Sequence, residues 1–165
     1  AYIITYWPVV LSLVLVVFVI DRPLYYYYRT VVMINLAAAL VVFMVFPVAS
    51  PFDIRPMVDT IQEYGPTFYG SPEMAAYYNT NAAMPSLHFS WTVILGVLFV
   101  RWLKGWLKLL GLAYPVMTFF AITITGNHFI LDAIAGGILA GLAFAVVELG
   151  VRRRLSSLWR QPGSS

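Results

Sequence analysis

Long uncharged stretches dominate this sequence and limit the folds open to it. Residues 2–20 carry no charged side chain, and a helix of that length, rising about 1.5 Å per residue, crosses a hydrocarbon layer of about 30 Å. Hydrophobic residues make up 61% of the chain and charged residues only 10%, a balance far outside that of soluble domains. The sequence therefore predicts an all-α, polytopic membrane helix bundle.

The apolar runs and the breaks between them predict five membrane spans. We place these spans at about residues 2–20, 30–48, 86–102, 107–125 and 129–150 of one catalytic domain over residues 1–165. A sixth span is expected if the natural chain begins earlier. One long polar connection, residues 49–85, separates the second span from the third, and loops of that length usually carry function. In the fifth span, the Gly137-x-x-x-Gly141 spacing predicts the close approach of another helix.

The basic residues indicate how the bundle is oriented. If successive connections alternate sides, nine of the ten basic residues lie on one face. These nine are Arg22, Arg29, Arg101, Lys104, Lys108, Arg152, Arg153, Arg154 and Arg160. The positive-inside rule makes that face cytoplasmic. We therefore expect an integral protein of a bacterial cytoplasmic membrane, with membrane lipids and not nucleic acid as its partners, and with the long loop on the extracytoplasmic side.

Both histidines of the chain stand at the N-terminal ends of predicted spans. His128 precedes the fifth span, and Asp132, four residues later, would lie on the same helical face and orient the imidazole ring. His88 opens the third span. A single histidine is more often a core or interface residue. Two histidines at the ends of spans, one of them beside a carboxylate, favour a catalytic site.

Arg55 in the long loop and Ser86 at the start of the third span provide groups that bind anions. An arginine matches phosphate oxygens bidentately, and the free N–H groups of a helix N-terminus bind anions. An ion pair with the acidic residues of the loop is the alternative for Arg55. With His128 as nucleophile, Asp132 as its partner and His88 as general acid, these are the parts needed for phosphoryl transfer without a metal or other cofactor.

These residues resemble the signatures of a known family. Pro85-Ser86-Leu87-His88 and His128-x-x-x-Asp132 resemble the second and third signatures of the type 2 phosphatidic acid phosphatase superfamily, and Arg55-Pro56 resembles the end of the first. That superfamily includes lipid phosphatases, vanadium haloperoxidases and inositol phosphotransferases. The resemblance implies a phosphohistidine at His128, and a lipid-phosphate substrate such as a phospholipid.

The resemblance also implies a role for each matching residue. Asp132 would be the partner of the nucleophile, and His88 would protonate the leaving group. Arg55, Ser86 and Asn127 would bind the phosphate of the substrate.

The signatures differ from the usual pattern at three places. Val48 stands where the first has lysine, Leu87 where the second has glycine, and Ala121-Ile122 where the third has a Ser-Arg pair. These departures, and the context of Asn127, are similar to the inositol phosphotransferase branch, to which the fungal inositol phosphorylceramide synthases belong. That branch implies transfer of a phosphoryl or phospho-headgroup to an alcohol. A simple lipid-phosphate or prenyl-pyrophosphate phosphatase is the alternative.

Two other classes of function compete with this interpretation. Two histidines and a carboxylate match the ligand set of non-haem iron enzymes, although a nearby arginine opposes a cation. A transporter, or a structural membrane protein, is the other competitor. Transport needs ionisable groups along the spans, and the acidic residues of the five spans are Asp132 and Glu148, each near one end. Their placement favours a site at the membrane surface.

Overall fold

The computed structural model describes residues 10, 11, 14–49, 51, 83–126 and 128–159, the side chains of residues 152–159 excepted. Its long helices are α1 (Arg22–Val45), α2 (Leu87–Trp102), α3 (Lys108–Ile124) and α4 (Ile130–Trp159), with a 3₁₀ turn at Gly105–Leu107. Residues 14–20 are also helical. The described residues contain no β-strand. The all-helical class predicted from the sequence is confirmed.

Among the described residues, three helices are long and apolar enough to cross a membrane: Arg22–Val45, Gly105–Ile124 and Ile130–Val151. They correspond to the second, fourth and fifth predicted spans, which confirms a polytopic helical bundle. The third predicted span is α2, an apolar helix of 16 residues. Much of the first predicted span, and residues 50 and 52–82 of the long loop, lie outside the described residues.

The helix α1 begins at Arg22 and not near residue 30 as predicted. Asp21 is its N-cap, and the Asp21 Oδ1 accepts a hydrogen bond of 3.0 Å from the N–H of Leu24. Pro23 stands in the first turn, where the N–H that proline lacks would have no helical partner. The residues that directly follow the first predicted span therefore start the next helix, and Tyr28 is buried within it.

Two glycines let α2 and α3 pack closely. A Cβ on Gly96 would lie 2.5 Å from the carbonyl oxygen of Gly111, and a Cβ on Gly111 would lie 2.5 Å from that of Gly96. Pro115 of α3 also packs over Gly96. The turn between the two helices contains Gly105 at a φ of 57°, a conformation that glycine adopts without strain.

A polar cluster joins α1, α2 and α4 at the end predicted to be cytoplasmic. The hydroxyl of Tyr27 donates a hydrogen bond of 2.6 Å to Glu148 Oε1, and Arg101 Nη1 lies 4.0 Å from the same oxygen. The Arg101 and Glu148 side chains are about half exposed, so Glu148 belongs to the surface of the bundle. Between this cluster and the opposite end lies an apolar core that includes Val31 and Ile94, both fully buried.

The close approach predicted at Gly137 and Gly141 does not occur among the described residues. A Cβ on Gly141 would meet nothing within 4 Å, and one on Gly137 would make ordinary contact, at 3.4 Å, with the ring of Phe89. The neighbouring Gly136 faces the backbone of α2 instead. Spacing alone did not reveal which face of α4 meets another helix.

We expect Gly96→Ala to destabilise the bundle by about 1–3 kcal/mol, because its methyl group would collide with backbone that cannot rotate away. Gly141→Ala is the matched control. It adds the same methyl group to open space and should leave stability unchanged or raise it by less than about 1 kcal/mol. Thermal unfolding in detergent would measure both. Equal melting temperatures for the two variants would contradict this packing.

Candidate active site

The first turn of α2 is built around Ser86. Ser86 is fully buried and is the N-cap of α2, and its Oγ accepts a hydrogen bond of 3.3 Å from the N–H of Phe89. A serine at this position supplies a partner for an N–H that the helix itself leaves unpaired. The predicted helix start at Ser86 is therefore confirmed, and this capping bond does not use the hydroxyl hydrogen of Ser86.

A tight connection between α3 and α4 holds His128. Gly126, at a φ of 71°, follows the last turn of α3, as left-handed glycines commonly do at helix ends. The N–H of His128 donates a hydrogen bond of 3.1 Å to the carbonyl of Ile122. The backbone of His128 is thus fixed to the end of α3 just before α4 begins.

Asp132 caps the start of α4. Its side chain is almost completely buried, and Oδ2 accepts a hydrogen bond of 2.8 Å from the N–H of Phe129. This is the reciprocal half of a capping box, in which an acid in the first turn pairs with the N–H of the residue before the helix. The carboxylate is therefore held in place by the helix that it caps.

The starts of α2 and α4 contact each other through their backbones. The N–H of Ser86 donates a hydrogen bond of 3.0 Å to the carbonyl of Asp132. A Cβ on Gly136 would collide with the carbonyl oxygen of Ser86, so the two helices can approach this closely only because Gly136 has no side chain. This contact brings the two histidine-bearing segments to one place.

The side chains of His128 and Asp132 lie together, as predicted. Nδ1 of His128 is 3.4 Å from Oδ2 of Asp132, and the His128 side chain is about 10% exposed. The geometry differs from the prediction because His128 precedes α4, so the contact crosses the helix start and does not run along one helical face.

The distance between His128 and Asp132 is short enough for an ion pair, but the two side chains do not form a hydrogen bond. Within the described residues His128 Nδ1 has no hydrogen-bond partner, and Oδ2 of Asp132 accepts the hydrogen bond from the N–H of Phe129. Catalytic hydrogen bonds are often long before a ligand binds. A small rotation of the ring would let Asp132 accept a hydrogen bond from a proton on Nδ1 and leave Nε2 unprotonated.

His88 lies beside His128, although the two are forty positions apart in the sequence. Their ring centroids are 6.2 Å apart, and the ring planes are inclined by 58°. His88 stands in the first turn of α2, next to the Ser86 cap. Two imidazoles at this separation can contact the same phosphate group from different sides.

The remaining predicted site residues, Arg55 and Asn127, lie outside the described residues. Their assignment to the phosphate therefore remains a prediction. Among the described residues no group of three histidine, cysteine, aspartate or glutamate side chains is arranged to hold a metal ion.

Sequence reasoning did not identify three contributors to this region. They are the N–H of Phe129, the bare backbone of Gly136 and the buried amide of Asn35, which bonds to Ser90 in α2. The pairing of an acid with the residue three positions before it is a sign of a helix start. A lone asparagine in an apolar span is another usable signal, because such a side chain needs a polar partner.

The fold and the site together define a helical membrane protein with two histidines and a carboxylate gathered at one end of the bundle. A family model described as the PAP2 superfamily matches residues 1–146. The chain belongs to this superfamily, and membership supports a lipid phosphatase or phosphotransferase in general. Comparisons with curated proteins and with solved structures gave no match.

We expect Asp132→Ala to lower the free energy of unfolding by about 1–2 kcal/mol, because the N–H of Phe129 would lose its capping partner. Asp132→Asn keeps an oxygen that can accept this hydrogen bond, so its cost should be clearly smaller. Chemical denaturation in detergent would compare the two. An equal loss in both variants would contradict the capping role.

Proposed function

We propose that this protein transfers a phosphoryl or phospho-headgroup from a membrane lipid, through a covalent intermediate on His128, to an alcohol or to water. The observation that carries the proposal is the proximity of the His88 and His128 rings, with the Asp132 carboxylate 3.4 Å from His128. Membership of the PAP2 superfamily supports lipid-phosphate chemistry in general.

In the first step, Nε2 of His128 attacks phosphorus and the bond from phosphorus to the lipid oxygen breaks. His88, in its protonated form, gives its proton to that oxygen, so that the lipid leaves as a neutral alcohol. Asp132 stabilises the positive charge that develops on the His128 ring. Attack requires phosphorus about 3 Å from the His128 ring, and protonation requires the leaving oxygen about 2.8 Å from the His88 ring. Both distances are compatible with the separation of 6.2 Å between the two ring centroids.

In the second step, the acceptor attacks the phosphohistidine. His88, now neutral, takes the proton of the acceptor hydroxyl or water, and the bond from phosphorus to Nε2 breaks. The ring of His128 and the proton on His88 are thereby restored. The same two histidines serve both half-reactions, so the acceptor decides whether the outcome is transfer or hydrolysis.

The phosphate oxygens need neutralising partners while charge builds on them. We assign this role to Arg55, Ser86 and Asn127 together with the N-terminal turn of α2. A helix N-terminus favours anions through its free N–H groups and its partial positive charge. No metal ion or other cofactor takes part in this scheme.

The two ends of α2 support a site on the extracytoplasmic side. Arg101 stands in the last turn of α2 and His88 in its first turn, so the two residues lie at opposite ends of one helix. The positive-inside rule puts Arg101 on the cytoplasmic face. His88 then lies toward the extracytoplasmic leaflet, which would supply the lipid phosphate.

We favour transfer over hydrolysis because of the departures of the signatures at Val48, Leu87 and Ala121-Ile122, which are similar to the inositol phosphotransferase branch. Hydrolysis of a lipid phosphate or prenyl pyrophosphate by the same residues is the alternative.

A thin-layer assay of the purified protein in detergent would decide between the two. Labelled phosphatidic acid, prenyl pyrophosphate and phosphatidylinositol would each be supplied with and without a ceramide or diacylglycerol acceptor. A new labelled lipid that forms only with acceptor would establish the transferase. Release of phosphate without any acceptor would identify a phosphatase, and no turnover of any of these substrates would count against the proposed function.

His128→Ala should abolish turnover, because no other described group replaces the nucleophile. Asp132→Asn should leave about a thousandth or less of the activity, since it keeps the cap but removes the charge that orients and stabilises the ring. Thr123→Val is a suitable control, because its hydroxyl bonds within α3, to the carbonyl of Phe119. Near-normal turnover by His128→Ala would end this mechanism.

Turnover should be unchanged after treatment with EDTA, because no step of the proposed scheme uses a metal ion. The assay would compare initial rates before and after chelation, followed by dialysis. Loss of activity that one particular divalent metal restores would favour the metal-site alternative.

A further inference from the structure

A buried asparagine of α1 lies against the turn of α2 that carries His88. Asn35 and Ser90 are both completely buried, and Nδ2 of Asn35 donates a hydrogen bond of 2.6 Å to Oγ of Ser90. Asn35 is the only strongly polar side chain between Thr30 and the end of α1. It therefore forms a specific polar link between two helices in an otherwise apolar region.

Stability alone does not account for Asn35. In the described part of the chain its Oδ1 has no hydrogen-bond partner, and a buried acceptor without a partner destabilises a fold. Hydrogen bonds between membrane helices also contribute little net stability on average. A leucine, which has nearly the same shape, would fill this volume without an unpaired oxygen.

The partner of Asn35 belongs to the turn that holds the site. The N–H of Ser90 donates a hydrogen bond of 3.0 Å to the carbonyl of Ser86, so these two serines enclose His88 within one helical turn. From α4, Gly136 and the carbonyl of Asp132 contact the same turn. Asn35 contacts it from α1, so the turn is fixed by two different helices.

We propose that Asn35, through its hydrogen bond to Ser90, is a positioning residue that sets where the His88 ring lies relative to His128. This inference rests on the proposed function, in which His88 protonates the leaving oxygen. Without the bond, the first turn of α2 would remain attached to α4 but could tilt relative to α1. Proton transfer to the leaving group would then suffer more than attack by His128, because an error of about 1 Å in placement costs a large factor in rate.

The dependence of the rate on the leaving group tests this assignment. A short-chain phosphatidic acid has an alkoxide leaving group that needs a proton, whereas an aryl phosphate such as nitrophenyl phosphate has one that departs without it. We expect the double variant Asn35→Leu with Ser90→Ala to lose about tenfold or more in kcat/KM for the lipid. The same variant should change by less than about threefold for the aryl ester.

The double variant removes both polar partners, so neither is left unpaired in the core, which is usually far less destabilising than removing one. The ratio of the two activities does not depend on how much of the sample is folded. Thr92→Val is the matched control, because Thr92 is equally buried in α2 but its hydroxyl bonds to the carbonyl of Phe89 within the same helix. This control should keep the wild-type ratio.

An equal loss on both substrates, or no loss on either, would overturn the positioning role while leaving the proposed function intact. Absence of turnover by the wild-type protein of these two substrates and of the other lipids of the thin-layer assay would instead contradict the proposed function, and this inference with it.

Discussion

One backbone hydrogen bond between two helix starts holds the candidate site together. The N–H of Ser86 donates to the carbonyl of Asp132 over 3.0 Å, and Gly136 allows the approach because a side chain there would collide with Ser86. His88 is two residues from one end of this bond and His128 is four residues from the other. The distance between the two imidazole rings therefore depends on how close the first turns of α2 and α4 lie to each other.

The polar groups at these helix starts combine structural and chemical roles. The Asp132 carboxylate accepts a hydrogen bond from the N–H of Phe129 and also lies beside the ring of His128. The Ser86 hydroxyl caps α2 through a bond that does not use its own hydrogen. Helix N-termini attract anions, so a phosphate held between the two starts would meet a favourable field before any side chain moves. Buried caps of this kind fix the two helix starts beside which His88 and His128 lie.

The sequence predicted the helical membrane class and the contact between His128 and Asp132, because long apolar runs and a four-residue spacing are local signals. It did not predict the start of α1 at Arg22, because proline both ends helices and begins them. It also missed Gly136 and the bond between Asn35 and Ser90. These depend on which helix faces meet, and no local pattern in a single sequence specifies that. Arg55 and Asn127, which lie outside the described residues, remain predictions from the sequence alone.

The stereochemical course at phosphorus tests the covalent histidine mechanism most directly. A lipid phosphate made chiral with three oxygen isotopes would be incubated with the protein and an alcohol acceptor, and the configuration of the product would be determined. Two successive in-line displacements, first by Nε2 of His128 and then by the acceptor, predict overall retention. Inversion would show a single direct displacement and would contradict a phosphohistidine intermediate.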